Sequence, residues 1–519
     1  MNPSSSVSTD NSNPDSFEKL DVLIVGAGLS GISAAYYVQK HCPDKTFAVL
    51  EGRENLGGTW DLFRYPGIRS DSDMYTLGYE FKPWATEQSI ASGPSIREYI
   101  RETAQEYNIT GKIRYQQKAT AFNWSSENAE WTVDVEQADG SVKKIRSNFV
   151  MMCVGYYNYE TAHAPDFKGE DDFEGKLIHP QFWPKDFDYS NKKVVVIGSG
   201  ATAVTLVPAM TDKAEHVTML QRTPTFMGVI PTKDRLANAL RKWLPEKLAY
   251  RITRTRKIIF FILMYSFSKR FPKIIKGLML KLVSVKLKDK SLIRKHFTPK
   301  YNPWDQRVCA VTDGDLFDGI NKGKISVETD HIDRFTKSGI LLRSGKELEA
   351  DVIVTATGLK LSDPSSYNVS VDGKMSDFSQ RLVYKGMMCN DIPNLSVTMG
   401  YTNASWTLKA DLIHAYFCRL INHLDNNGLD YFVPVNKNPQ LKKEAGIDFQ
   451  SGYVLRASSY LPKQGDQKPW KLDQNYVMDL MSLRFRDIHD DAMQFMKAGQ
   501  SVPTSVEVDD MPVDGVANN

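Results

Sequence analysis

The sequence predicts an α/β fold with two Rossmann-like dinucleotide-binding domains, the second interrupted by a helical insertion, and three observations carry that prediction. Two glycine-rich loops, Gly26-Ala-Gly-Leu-Ser-Gly31 and Gly198-Ser-Gly-Ala-Thr-Ala203, each follow an apolar run and precede a stretch of helical composition. An aromatic-His-Pro segment, FEGKLIHPQFWP at 173–184, stands between them. A strongly basic stretch at about 230–302 interrupts the second unit.

At 519 residues the chain exceeds what one hydrophobic core holds and should divide into two or three domains able to bury a nucleotide. Its 41% apolar and 24% charged residues and net charge of +3 are ordinary for a globular protein and argue against a general nucleic-acid binder. Cys42, Cys153, Cys309, Cys389 and Cys418 are scattered without a CxxC or CxxxxC pair, which fits a reducing compartment and excludes a relay of neighbouring cysteines. No metal site is expected. Residues 1–18 read as a disordered Ser/Asn/Asp/Pro-rich tail without signal-peptide character, so the default location is cytoplasmic. Residues 501–519 read as an acidic flexible tail. The longest apolar run, 258–265, is too short to span a bilayer and is flanked by Arg254, Arg256, Lys257, Lys269 and Arg270.

In the first unit Asp21-Val-Leu-Ile-Val25 runs into the loop, helical residues 32–40 follow, and Phe47-Ala-Val-Leu50 ends at Glu51, twenty residues after Gly31. Gly26 permits the tight turn, Gly28 lets backbone approach a pyrophosphate, and Gly31 lets helix pack on strand, with the helix N-terminus facing the phosphates. Glu51 is placed to accept hydrogen bonds from ribose hydroxyls, which favours FAD or NAD over a 2′-phosphorylated nucleotide.

The second unit ends differently. After residues 193–197, the loop Gly198-Ser199-Gly200-Ala201-Thr202 and the strand 217–221, the chain presents Arg222-Thr223. A guanidinium binds phosphate through parallel charge-assisted hydrogen bonds, so this unit is expected to select NADPH. Residues 113–154 alternate polar and apolar with Asp139-Gly140 as a turn, predicting an antiparallel meander inserted before the chain crosses domains. Residues 150–155 and 350–358 are apolar strands ending in Gly155 and Gly358, consistent with two crossings.

Two further motifs bear on what receives the electrons. Gly58-Thr59-Trp60 is followed by Tyr65-Pro-Gly67 and Asp71, and Phe173-x-Gly175-xxx-His179-xxx-Trp183-Pro184 fills the inter-unit segment. Here the chain resembles the type I Baeyer–Villiger flavin monooxygenases, from about residue 21 to 358 and onward to the C-terminus. The HPQxWP form and residues 296–307 look most like the ethionamide-activating branch.

The resemblance implies a discontinuous FAD domain (19–157 and 364–500), a linker (158–190), an NADPH domain (191–229 and 308–363) and a helical insertion (230–307). It implies that NADPH reduces FAD and that O2 forms a C4a-peroxyflavin, which inserts oxygen into a ketone to give an ester or lactone. The same chemistry would oxidise sulfides or thioamides. Arg307 matches the family's arginine that holds the reacting anion, Asp71 the aspartate that orients it, and a desolvated pair of this kind would itself mark a functional site. His179 takes a conformational role in a linker that Pro180, Trp183 and Pro184 stiffen, coupling rotation of the NADPH domain to catalysis. Trp60 and Tyr65 are expected to line the cofactor cleft. Many members place a lysine before the catalytic arginine, against the 2′-phosphate; this chain has Gln306.

For the insertion three readings compete: a helical wall of the substrate cleft, a basic surface resting on an anionic membrane, and a solvated basic face over ordinary core. Rivals to the leading function are a monooxygenase confined to nitrogen or sulfur, an NADPH oxidase, and a membrane-surface module that kept its nucleotide folds.

Overall fold

The structure, a computed structural model, describes residues 17–306, 308–446 and 452–508. The first strand, β1 (Glu18–Val25), already starts within the expected tail; residues 1–16 lie outside the described residues. It leads into α1 (Leu29–His41) and β2 (Phe47–Leu50), all four residues of which are buried, as suits a strand covered on both faces. The short helices α2 (Thr59–Leu62) and α3 (Met74–Leu77) and the amphipathic α4 (Gly93–Glu106) follow. Then come β3 (Ile113–Arg114), β4 (Gln117–Ser125), β5 (Glu130–Gln137) and β6 (Val142–Met152).

β3, β2, β1 and β6 pair in parallel, while β4, β5 and β6 form the antiparallel meander. The meander is therefore no separate insertion. Its last strand is also a strand of the nucleotide sheet, and that places Cys153, just beyond β6, against the first glycine turn.

The second sheet is wholly parallel. It takes β7 (Lys176–Ile178), β8 (Lys193–Ile197) and, across α5 (Ala201–Met210), β9 (His216–Gln221). β10 (Met227–Ile230) precedes the insertion of α6 (Arg235–Trp243), α7 (Glu246–Arg270), α8 (Pro272–Lys286) and α9 (Ser291–His296). β11 (Cys309–Thr312) pairs with β10 from Met227↔Cys309 onward and so closes the neck of the insertion. After α10 (Asp315–Asn321) come β12 (Ile325–Thr329), a small meander of β13 (Ile332–Thr336), β14 (Gly339–Leu342) and β15 (Glu347–Glu349), and β16 (Val352–Thr355). The order is β12-β9-β8-β16-β7. The inter-unit segment is thus not a free linker throughout, because β7 is the sheet's edge strand, in register with β16 at Ile353↔Leu177.

The chain then returns to the first sheet. β17 (Val369–Val371) runs parallel to β4, β18 (Lys374–Met375) pairs with β17, and the strand Leu395–Val397 pairs with β6. α11 (Trp406–Asn427) packs along α1, fixed by Ser33 Oγ donating to Asp411 Oδ1 at 2.8 Å and Trp406 Nε1 donating to Ser30 Oγ at 2.7 Å. The short helices α12 (Gly452–Ala457) and α13 (Tyr476–Leu480) follow. The expected C-terminal tail begins as docked chain: Ser505 N donates to Asp391 Oδ1 at 2.8 Å and Val506 N to the Asn436 carbonyl at 2.9 Å. Residues 509–519 lie outside the described residues. Among the described residues no helix is long and apolar enough to cross a membrane.

The insertion is anchored on the first unit as well as the second. Arg254, 6% exposed, donates from Nη1 to the carbonyls of Tyr75 at 2.8 Å and Gly78 at 2.7 Å, and its Nη2 stands 3.6 Å from Asp411. A buried guanidinium needs such acceptors, and here they are carbonyls at the C-terminal end of α3 and just beyond it.

Candidate active-site cleft

Both nucleotide units contribute to one cleft of about 710 Å³. From the first come Gly26, Gly28, Glu51, Gly58, Thr59, Trp60, Tyr65 and Asp71; from the second, Ala201 and Thr202. A larger and more polar groove, about 1020 Å³, lies between 435–441, 467–473 and 486–494 and contains none of the expected residues.

The first glycine loop leaves no room for side chains. Gly26 has φ +101°, and a Cβ there would stand 2.6 Å from the Cys153 carbonyl oxygen; one on Gly31 would stand 1.7 Å from the Gly26 carbonyl oxygen. That is the close helix-on-strand approach the motif requires, and Gly31 accordingly sits in α1 behind the cleft. Glu51 is buried at the end of β2. Its Oε2 accepts from Ala27 N at 2.9 Å and its Oε1 from Arg53 N at 3.0 Å. Burial pushes its pKa up, and the two backbone donors pull against that shift. The carboxylate is so fixed with lone pairs left for a hydroxyl donor.

Gly58 has φ +55°, and a Cβ on it would lie 3.1 Å from Gly28 Cα, so the two glycine turns touch. Arg53 braces this contact, donating to the Gly58 carbonyl at 3.3 Å and pairing with the buried Asp61 at 2.8 Å. Thr59 Oγ1 and Tyr159 Oη are 3.1 Å apart, and burial pushes the Tyr159 phenol up to about 12. Tyr65 is buried, and burial raises its phenol too, against a hydrogen bond to Thr202 in the second unit. Beside it, a Cβ on Gly67 would stand 2.4 Å from Ala209 Cβ and 3.0 Å from the Thr205 carbonyl oxygen, both in α5. The Tyr-Pro-Gly turn is thus the joint where the first unit meets the second nucleotide helix. Asp71 lies on the cleft wall and is exposed. Arg307 lies outside the described residues.

The second loop is more open. Gly198 has φ +135°, with a Cβ position 2.4 Å from the Ala356 carbonyl oxygen, but a Cβ on Gly200 would meet nothing within 4 Å. Ser199 Oγ and Thr225 Oγ1 are 2.6 Å apart. Arg222 and Thr223 are both exposed, and neither they nor Gly198, Ser199 and Gly200 line the cleft. They form an adjoining surface rather than part of the shared cavity.

His179 joins the inter-unit segment to the second crossing. Gln181 N donates to its Nδ1 at 3.1 Å, so Nε2 carries the proton and faces the Gly358 carbonyl at 3.4 Å. Burial lowers the His179 pKa, which keeps the ring in this neutral form. Gly175 lets the Phe173 ring and the Asp351 carbonyl close in, at 2.4 and 2.5 Å from where its Cβ would be. Trp183 packs edge-on to Phe187 and Tyr189, and Pro184 is exposed.

Several cleft residues were missed from sequence. Tyr156 stacks on Trp406 at 5.0 Å and 14°, and Tyr157, Tyr401 and Arg69 also line the wall. The run Tyr156-Tyr157-Asn158-Tyr159, directly after a strand ending in Gly155, was a usable signal; Trp406 and Tyr401 had none nearby.

Comparison with known proteins gives the family. The flavin-binding monooxygenase-like family matches residues 90–399, and an NAD(P)-binding Rossmann-like domain matches residues 24–83. The chain is 49% identical over 481 residues, 92% of its length, to the FAD-containing monooxygenase EthA of Mycobacterium tuberculosis, of which it covers 98%. Among solved structures it resembles an oxidized steroid monooxygenase bound to NADP (TM-score 0.72, 19% identity, 92% of this chain and 100% of the other). It also resembles OTEMO in complex with FAD and NADP (TM-score 0.67, 21% identity, 81% and 88%).

Proposed function

This chain belongs to the flavin-binding monooxygenase-like family, and from that premise we propose that it is an FAD- and NADPH-dependent Baeyer–Villiger monooxygenase. Ketone, O2, NADPH and a proton become ester or lactone, NADP⁺ and water; sulfides and thioamides are oxidised by the same enzyme. The observation that carries this reading is the single cleft shared by both nucleotide units, with the Tyr65–Gly67 turn seated on α5 between them.

The residues fit both groups. Gly26, Gly28 and Gly58 offer bare backbone to a pyrophosphate, Glu51 offers a fixed carboxylate to a ribose, and Arg222 with Thr223 offers an exposed cation and hydroxyl to a 2′-phosphate. FAD, when bound, supplies the redox and oxygen-activating chemistry, reduced by hydride from NADPH. The chain's own part is to align the two nucleotides, exclude water behind Tyr156, Trp406 and Tyr65, and meet developing negative charge with a fixed cation. Arg307 has that last role on motif grounds, with Asp71 on the cleft wall orienting it. His179 times the motion of the NADPH unit through its bond to Gly358.

The basic insertion also suits peripheral contact with an anionic membrane from the cytoplasmic side. Residues 246–296 carry fifteen Lys and Arg, and the only acids among them are Glu246 and Asp289.

Anaerobic NADPH should bleach a yellow preparation, and ¹⁸O2 should then label ester formed from ketone, read by mass spectrometry. Sulfoxide without any ester would sink the Baeyer–Villiger assignment in favour of a monooxygenase restricted to nitrogen or sulfur. Oxygen uptake that ignores substrate would mean an oxidase.

A further inference from the structure

We propose that apolar substrates reach the cleft sideways from an anionic lipid surface, through the seam between α7 and α13; this rests on the membrane reading of the insertion. The outward face of the insertion is apolar where a solvated helix would be polar. Ile259, Leu263 and Phe267 on α7 and Ile274, Leu278 and Leu282 on α8 recur at intervals of four, one stripe per helix, and all are exposed. Val285 extends the stripe at 74% exposure, and Trp243 on α6 is 85% exposed. Apolar exposure on this scale over helices packed on one another marks an interface, and its occupant is set by charge. A second copy would bring two strongly basic insertions together, whereas an anionic bilayer accepts the stripe in its acyl region and the exposed cations at its headgroups.

Another side of the same helix packs behind the cleft wall. Ile258 is buried and Ile262 half-buried against Tyr401 and Tyr476, and Tyr401 and Ala404 line the cavity that holds the glycine loops. A layer of side chains, Tyr401 against Ile258 and Ile262, therefore lies between the reaction cleft and α7. That layer is latched from α13: Tyr401 Oη donates to Asp479 Oδ2 at 2.7 Å, and Lys409 Nζ pairs with the same carboxylate at 2.8 Å. Next to Asp479 along α13, Val477 and Met478 are exposed, so the seam is flanked by apolar side chains on both sides. The substrate class that profits is a carbonyl compound dissolved in the membrane, such as a long-chain methyl ketone.

The test uses the full-length holoenzyme with phosphatidylglycerol vesicles carrying a brominated long-chain methyl ketone. Quenching of flavin fluorescence reports arrival in the cleft without turnover, and bromobutanone from water is the control. Leu263→Asp with Leu278→Asp should abolish co-sedimentation and slow quenching by the vesicle-borne ketone about tenfold or more, leaving bromobutanone unchanged. Ile262→Trp should still co-sediment yet slow the long-chain ketone about tenfold, and Ile262→Ala should speed it about threefold. If Ile262→Trp fails to retain flavin, Ile262→Ala carries the test with the opposite sign. Vesicle binding with Ile262 variants that treat both ketones alike overturns the seam and leaves the membrane reading standing. Failure of the wild type to co-sediment with phosphatidylglycerol removes both.

Discussion

The two nucleotide units share a motif but differ in how tightly they are closed. In the first, a Cβ on Gly31 or Gly26 would collide with backbone at 1.7 or 2.6 Å, and buried Glu51 has both carboxylate oxygens engaged by backbone N–H groups. In the second, Gly200 faces open space, and Arg222 is exposed and makes no hydrogen bond or ion pair with the described residues. A site organised before its ligand arrives spends little of the binding energy on ordering and holds the ligand long; a loose, exposed site lets it leave. On the proposed function the first unit would hold a resident cofactor and the second a nucleotide that exchanges at each turnover.

The harshest way to break this contrast is to add one methyl group to each loop. Gly31→Ala forces Cβ into the Gly26 carbonyl and should cost more than ~3 kcal/mol, with flavin lost from the purified protein and a lower Tm. Gly200→Ala has room and should change Tm by less than ~1 kcal/mol equivalent while weakening NADPH, because the added methyl occupies space the phosphates need. Flavin absorbance per chain and a thermal melt read both. Equal damage at the two positions would erase the distinction between a closed and an open loop.

A smaller effect follows from charge. Removing the guanidinium in Arg222→Ala should raise the KM for NADPH about 30- to 100-fold, the scale of a lost charge-assisted phosphate contact, with NADH little changed. A similar rise with both nucleotides would show that Arg222 supports the loop rather than the 2′-phosphate.

The sequence disclosed these loops because their geometry is local: strand, glycine turn, helix and the strand-end Glu51 or Arg222 fall within about thirty residues. What it concealed depends on long-range packing. Trp406 and Tyr401 reach the cleft only because Trp406, at the start of α11, bonds Ser30 in α1, a contact across 376 residues. Arg254 reads as one more cation in a basic run, yet it is buried on the carbonyls of α3. β7 is three residues long and shows no period, so the edge of the second sheet passed for linker. The helical spacing of the exposed stripe was legible, but which side of α7 faces outward was decided by Ile258, Tyr401 and Tyr476.

His179 bonds Gly358 at the edge of the second unit, on the segment that leads to it from the first, and on the proposed function its effect should be on their coupling. Its pKa lies below the ordinary value of 6.5 because the ring is buried. Below about 6.5 the unfolded chain takes up a proton that the folded ring resists. The stabilisation is therefore complete above that pH and is lost as pH falls through the lowered folded value. Protonation puts a hydrogen on Nδ1, where the Gln181 N–H must be accepted. Hydrogen peroxide released per NADPH consumed should rise severalfold as pH falls from about 7 toward 5. His179→Ala should show the raised leak at all pH values with its flavin retained; loss of FAD would instead make His179 a structural ligand of the first unit.

The smallest expected change would move the second unit toward the first. Gln306 is exposed, and the motif resemblance sets it at the position where many type I Baeyer–Villiger enzymes place a lysine against the 2′-phosphate. As an amide it adds no charge, which leaves Arg222 as the cation the motif supplies. Gln306→Lys should tighten NADPH binding about three- to tenfold, more at low salt than high, since an exposed cation on phosphate is screened within about 10 Å at 0.1 M salt. If that lysine also slows release of NADP⁺, kcat should fall as the affinity rises, the outcome expected of a site whose openness serves turnover. Unchanged affinity at both salt concentrations would place Gln306 away from the phosphate and leave the open second site to Arg222 and Thr223.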